Sequence, residues 1–297
     1  MTALRTYQTA GILLGLAGGL VISFDVPVIR AAGADPWLLM VARGLVPLPI
    51  YILFWRYMGR FHDTPRNPFA DITWVQVGII YGLSQICFTA SVFNTSTANL
   101  VFILAFNPLL AALLSWWMIG ERPKPSTWIA IAATIAGVAI IVGGGLQAGT
   151  WFGDFFALVT AVTLALALTL SRKSGADMSL APGLGGAILT AFALPMAVLH
   201  YTPPQSWAWL AVNGALLVPI AAVCLAMAPR FIPAPQAAIF YLLETVLAPV
   251  WVWWFFGETM TRETMIGGAI VLAAITGHAL WKLRRPGPRI EEIEAAA

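Results

Sequence analysis

Ten apolar stretches dominate this chain, near residues 9–29, 36–55, 73–93, 97–119, 127–145, 151–171, 182–200, 206–228, 236–256 and 264–283. Each is close to the ~20 residues that a helix rising 1.5 Å per residue needs to cross a bilayer. The runs are continuous rather than alternating, so they predict helices and not barrel strands. Composition agrees: 60% of residues are hydrophobic and 10% charged, where water-soluble domains carry roughly a quarter charged. The expected fold is all-α and integral to a membrane, with ten transmembrane helices. The first run comes after Arg5 and precedes the small residues Ala31 to Ala34, an imitation of a secretory signal. Its length and the later runs make it the first span instead.

Ten crossings place both chain ends on one face. On that face fall Arg5, Arg56, Arg60, Arg66, Arg122, Lys124, Arg172, Lys173, Arg230, Lys282, Arg284, Arg285 and Arg289, which is 13 of the 16 basic residues. The other face receives Arg30 and Arg262, and Arg43 lies within a span. The positive-inside rule then puts both termini in the cytoplasm, in a multi-pass protein of the cytoplasmic (inner) membrane. The net charge of +3 reports on topology. Lipid is the expected macromolecular environment, and nucleic acid is not an expected partner.

The chain also repeats itself. NPLLAALLSWWMIGE (107–121) and ETVLAPVWVWWFFGE (244–258) lie 137 residues apart and share 6 of 15 positions: Leu110/Leu247, Ala111/Ala248, Trp116/Trp253, Trp117/Trp254, Gly120/Gly257 and Glu121/Glu258. The first window ends the fourth span and the second ends the ninth. Five spans separate them, an odd number, so the halves are expected to be inverted copies. The expected units are 1–146, 147–285 and a cytoplasmic tail, 286–297. Inverted repeats are the architecture of alternating-access carriers, which hold substrate near mid-membrane at the repeat interface.

The paired motifs WWMIGERPKPSTW with AGVAIIVGG, and WWFFGETMTRETMIGG, resemble the EamA-type repeat of ten-helix members of the drug/metabolite transporter superfamily. LLMVARGLVPL (38–48) is similar to the second helix of that superfamily. The second loop departs from the first in being acidic (Glu258, Glu263), which inversion explains. The resemblance implies a secondary transporter exporting amino acids or other small metabolites, closest to an aromatic amino acid exporter branch. It further implies a central cavity among the third, fourth, eighth and ninth helices, with parts of the first, second, sixth and seventh. No cofactor is implied.

Polar residues inside spans are costly and therefore informative, at ~2.5–3.5 kcal/mol or more for a charge at bilayer centre. Glu244 lies midway along the ninth span, at the position matching Asn107 of the fourth. It is a candidate for binding a substrate ammonium or a coupling proton, against the alternative of a structural carboxyl. Asn107 serves either substrate or helix–helix contact. Arg43 lies about seven residues into the second span, and Asp25 at similar depth in the first. Either the two pair to close one side, or Arg43 receives a substrate carboxylate through its planar guanidinium. Tyr81 and Gln85, four apart, share a helical face. Phe106, Phe240 and Tyr241 flank the central polar positions and either form an aromatic wall or serve as core or lipid-facing aromatics. Gly11, Gly15 and Gly19 make a smooth face for close helix approach, within the chain or between two copies, so monomer and dimer both stay open. Pro108 and Pro249, with Pro195, Pro219, Pro233 and Pro235, can interrupt spans, as transporters do near their sites. The Trp pairs suit the bilayer interface. Cys87 and Cys224 fit packing, and no metal-ligand spacing occurs.

The chain lacks a GxxxxGK loop, HExxH and GxSxG, so neither ATP-driven pumping nor these enzyme classes is expected. The expected partner is a small-molecule substrate, with a proton as candidate coupling ion. The competing readings are an uncoupled channel or facilitator, and an exporter of another amphipathic metabolite or drug.

Overall fold

The computed structural model describes residues 2–58, 72–95, 97–142, 151–257 and 262–284. Among the described residues every regular element is a helix, and the helices make ten crossings. α1 has two pieces, α1a (Thr2–Ile22) and α1b (Asp25–Ala32), as has α2, with α2a (Pro36–Leu45) and α2b (Leu48–Met58). α3 is Ile72–Asn94, and α4 is again divided, into α4a (Thr97–Leu104) and α4b (Asn107–Ile119). α5 (Pro125–Val142), α6 (Trp151–Ser174) and α7 (Ala181–Leu199) are continuous. α8 runs through Trp207–Val212, a π-helical turn Asn213–Leu217 and Val218–Phe231; α9 is Ala234–Phe256 and α10 is Arg262–Arg284. Nine crossings are long and apolar enough to span a membrane, and α5 is apolar but shorter, over Pro125–Ile141. The expected boundary at 146/147, the tail 286–297 and Glu258 lie outside the described residues.

Proline places the breaks. Pro27, Pro47 and Pro108 have no N–H to offer Ser23, Arg43 and Leu104, so the helical ladder is interrupted ahead of each. At two breaks the backbone tightens: Phe24 N–H donates to Val21 O and Phe106 N–H to Ile103 O, both at 3.2 Å. These are i→i−3 bonds in place of i→i−4. Pro195 sits inside the continuous α7. α9 also continues through position 249; the Pro249 side chain lies outside the described residues.

Small residues bring the helices together, as expected where lipid is as apolar as the helix surfaces. A Cβ on Gly11 would meet Phe231 and Ile232; on Gly15, the Phe240 ring; on Gly19, the Phe240 carbonyl and Leu243. The glycine face of α1 is thus filled from within the chain by α8, α9 and Ile232 between them. Phe240 is 4% exposed and packs its ring on Gly15, the core-packing alternative to a place in an aromatic wall. The outward surface is apolar, with Leu53, Ile72, Trp117 and Trp254 among the large exposed side chains.

Packing follows an approximate two-fold axis that exchanges each helix with the one five later. α3 packs on α6 as α8 packs on α1, and α4 on α6 as α9 on α1; the pairs α2–α7, α4–α9 and α5–α10 map onto themselves. On the self-mapped pairs the contacts are reciprocal. A Cβ on Gly44 would meet Gly186 O and one on Gly186 would meet Gly44 O; Gly137 and Gly267 are related in the same way. Reciprocity is the mark of a two-fold contact. Gly44 and Gly186 are 142 residues apart (186 − 44), and so are RAAGAD (30–35) and RKSGAD (172–177). In both motifs the glycine is left-handed, with φ 53° at Gly33 and 62° at Gly175. In both, the Asp accepts the N–H two residues on, Asp35 from Trp37 at 2.9 Å and Asp177 from Ser179 at 2.8 Å. Gly120 and Gly257, with φ 78° and 69°, end α4b and α9. A left-handed helix end favours glycine, which has no Cβ to clash. Because an odd number of crossings separates equivalents, the two halves are inverted.

Candidate functional site

The breaks and the π turn bring polar side chains to the interface between the halves. Asp25 opens α1b, and Arg43 lies in the last turn of α2a. Arg43 Nη1 donates to Asp25 Oδ1 at 2.7 Å and to Oδ2 at 2.6 Å. Asn213, the first residue of the π turn and fully buried, donates Nδ2–H to Asp25 Oδ1 at 2.7 Å. Its Oδ1 lies 3.5 Å from Arg43 Nη1. Asp25 is 4% exposed, and a carboxylate so buried is stable only with donors of this kind. Among the described residues every Arg43 hydrogen bond leaves through Nη1. The side chain keeps 19% exposure, and neither Nε nor Nη2 is a buried atom without a partner. That edge of the guanidinium therefore retains accessible surface.

Glu244 lies halfway along α9, half-buried. It is within Coulombic reach of Asp25 and Arg43, and among the described residues it accepts no hydrogen bond. Three tyrosines surround this group. Tyr51 of α2b, 2% exposed, and Tyr81 of α3, 6% exposed, are joined by the half-buried Tyr241, one helical turn before Glu244. Tyr51 is within electrostatic reach of Arg43 and Tyr81, and Tyr241 of Tyr81, Tyr51 and Glu244. Tyr81 Oη is buried and lies within side-chain hydrogen-bonding reach of Tyr241. Glycines of α7 make room beside both: Gly183 packs against the Tyr51 ring and Gly185 against the Tyr81 Cβ and backbone.

The structure thus gathers Asp25, Arg43, Tyr81, Tyr241 and Glu244 from the sequence candidates. Gln85 lies one turn from Tyr81, half-buried, and its carbonyl accepts from Thr89 Oγ1 at 2.9 Å. Phe106 stands edge-on to Phe102 at 5.3 Å. Asn107 turns to α6, where Nδ2–H donates to Ala161 O at 2.9 Å while Oδ1 has no partner. At the position matching Glu244, the first half thus uses its amide to join helices. Sequence reasoning missed Tyr51 and Asn213. Asn213 left a signal, being the sole Asn in the run 206–228; Tyr51 looks like any aromatic of an apolar helix.

Two further sets of contacts tie helices together on either side of the site. Toward the face opposite the chain termini, Trp251 Nε1–H donates to Ser23 Oγ at 2.9 Å, and Ser23 Oγ–H to Leu20 O at 2.6 Å. Phe24 stacks on Trp251 at 4.3 Å, so the α1 break is pinned to α9. Toward the terminus face, Arg172 donates Nε–H to Glu121 Oε1 at 2.9 Å and Nη1–H to Arg230 O at 3.4 Å. Both members of this ion pair keep substantial exposure, 26% and 32%. Partly exposed pairs contribute about 1 kcal/mol or less. Glu121→Gln is therefore expected to lower the melting temperature by no more than about 4 °C, measured by thermal unfolding in detergent.

The profile of the EamA-like transporter family matches the chain twice, over residues 9–143 and 151–279. An uncharacterized transporter of Archaeoglobus fulgidus is 25% identical over 213 residues, covering 69% of this chain and 75% of its own. The uncharacterized transporter YdeK of Bacillus subtilis is 27% identical over 217 residues, covering 70% and 72%. One of Pseudomonas aeruginosa is 23% identical over 257 residues, covering 81% and 82%. A solved crystal structure with 18% identity superposes at a TM-score of 0.78, over 94% of this chain and 100% of the other; it shows the same fold.

Proposed function

The chain belongs to the EamA-like transporter family, and from that premise we propose that it is a secondary carrier exporting amino acids, aromatic ones foremost, by alternating access. One observation carries the reading: Glu244 and the unbonded edge of Arg43 come from opposite halves, lie in Coulombic reach of each other, and both keep accessible surface deep within spans. A zwitterion fits such a pair, its ammonium at Glu244 and its carboxylate at Arg43 Nε and Nη2. Tyr51, Tyr81 and Tyr241 supply aromatic faces and hydroxyls beside it. The halves rock about this site, with the α1, α2 and α4 breaks absorbing the bend. Asp25–Arg43 and Phe24–Trp251 seal the periplasmic side, and Arg172–Glu121 bridges helix ends on the cytoplasmic side. Both termini are cytoplasmic in the inner membrane, by the 13-to-2 distribution of basic residues. Export is carried over from the resemblance, and a proton taken by Glu244 is the proposed coupling ion.

The test is purified protein in liposomes, with labelled phenylalanine, tryptophan and tyrosine compared with threonine, methionine and a nucleoside. Saturable movement of the aromatic set, accelerated by substrate on the far side, is the expected result. Movement without saturation or counterflow means a pore. Glu244→Gln removes the charge facing the ammonium. A charge-assisted hydrogen bond contributes about 1.5–3 kcal/mol, so phenylalanine affinity is expected to fall about 10- to 100-fold, read by competition against labelled tryptophan. An unchanged affinity and rate would remove Glu244 from the site.

A further inference from the structure

One guanidinium faces two carboxylates, and the two are not treated alike. Asp25 takes two hydrogen bonds from Arg43 Nη1 and a third from Asn213, and is nearly sealed from solvent. Glu244 is in reach of the same cation, is half-buried, and accepts no hydrogen bond among the described residues. Coulomb attraction alone does not make this choice, since Arg43 could turn to either anion. Geometry at Asn213 does. A π turn adds one residue to a helical turn and rotates the rest of the helix, and such bulges cluster at functional sites. Here the turn begins at Asn213 and aims its amide at the ion pair from α8, where Nδ2–H meets Asp25 and Oδ1 meets the flank of Nη1. Gly214 next to it packs against the Ala42 carbonyl and Val46 of α2, so the turn is held against the helix that carries Arg43.

We propose that Asn213 is a positioning residue that assigns Arg43 to Asp25, and thereby keeps Glu244 and the Nε/Nη2 edge of Arg43 free for the transported molecule. The inference rests on the carrier reading of the same site. Without the amide, Asp25 loses a donor and Arg43 its lateral stop. The guanidinium then swings toward Glu244, and each group consumes the other's binding capacity. The groups in electrostatic reach of Glu244 are Asp25 of α1, Arg43 of α2 and Tyr241 of α9, with Tyr51 of α2 and Tyr81 of α3 in reach of Tyr241.

The experiment has an arm without substrate and an arm with it. In detergent, melting temperatures are measured for Asn213→Ala, Asp25→Ala, Glu244→Ala and the two doubles that contain Asn213→Ala. Contacting residues are non-additive and independent ones add. The Asn213/Asp25 double is expected to melt at least about 2 °C above the additive value, and the Asn213/Glu244 double to be additive. Equal coupling to both carboxylates, or to neither, overturns the assignment. In the second arm, binding of phenylalanine is compared with phenethylamine, which has no carboxylate. The wild type is expected to prefer phenylalanine at least about tenfold, the worth of one charge-assisted hydrogen bond. Asn213→Ala is expected to bring that ratio within about twofold, a change that loss of stability does not produce. An unchanged ratio in the folded variant also overturns the proposal. If the first arm succeeds while wild type binds neither compound, the substrate reading fails and the assignment of Arg43 stands. Asn213→Asp combined with Asp25→Asn exchanges amide and carboxylate around the same guanidinium, and is expected to recover phenylalanine preference.

Discussion

Replacing Arg43 by alanine is expected to cost about 3–5 kcal/mol of stability, the usual penalty for breaking a buried ion pair by removing one member. The reason is local. Asp25 is 4% exposed and would keep only the Asn213 amide as partner, at 2.7 Å, while its charge stayed in an apolar interior. Transport of phenylalanine is expected to fall at least about 100-fold, because the same guanidinium offers its remaining edge to the carboxylate. A paired variant separates the two effects. Arg43→Ala with Asp25→Ala leaves no orphan charge, so it is expected to melt above Arg43→Ala alone and to remain inactive. Melting curves and liposome uptake check both points. If Arg43→Ala melts and transports like the wild type, the buried pair has neither role.

The second large effect is expected at the two-fold axis. On Gly186 even a Cβ would stand 2.8 Å from the Gly44 carbonyl oxygen and 3.3 Å from Gly44 Cα. These are backbone atoms, so no rotamer change relieves the clash, and α2 and α7 must move apart. Overpacking costs typically about 1–3 kcal/mol where side chains can yield; here none can, and Gly186→Leu is expected to give little or no folded protein by size-exclusion chromatography. Gly277 of α10 is the control. Nothing lies within 4 Å of a Cβ there, so Gly277→Ala is expected to be neutral or stabilising by up to about 1 kcal/mol.

Much of the scaffold is legible in the sequence because bilayer thickness imposes length and because the halves repeat. Each expected span has its helix, and the WW…GE repeat reports the exchange of α4 with α9. The second repeat, RAAGAD with RKSGAD, carries the same symmetry through φ-positive glycines, and escapes a search of the apolar runs because it lies at helix ends. The site is legible only in part. Its costly charges, Asp25, Arg43 and Glu244, stand out in an apolar chain. Two of its neutral members do not: Tyr51 has no period or charge to distinguish it, and Asn213 needs the π turn to point it. Duplication gives no help there either, since the site is what the halves do not share. At the 142-residue spacing Asp25 corresponds to Ala167, Arg43 to Gly185 and Tyr51 to Ala193. Phe240 and Asn107 went the other way, into helix packing, because a residue's depth in a span does not tell which neighbour it meets.

The glycine face of α1 has a consequence for the order in which the protein is made. Gly15 closes on Phe240, about 225 residues later in the chain (240 − 15). At roughly 5–20 residues per second, α1 waits on the order of 10–45 s after its own synthesis for its partner. Its symmetry mate α6 meets α3, which is already in place when α6 emerges. Two halves with equivalent places in the finished protein therefore have different childhoods: the second docks as it is synthesised, and the first keeps a bare glycine groove in lipid until the last third of the chain arrives. Truncation after α7 would leave that groove without the residues that fill it.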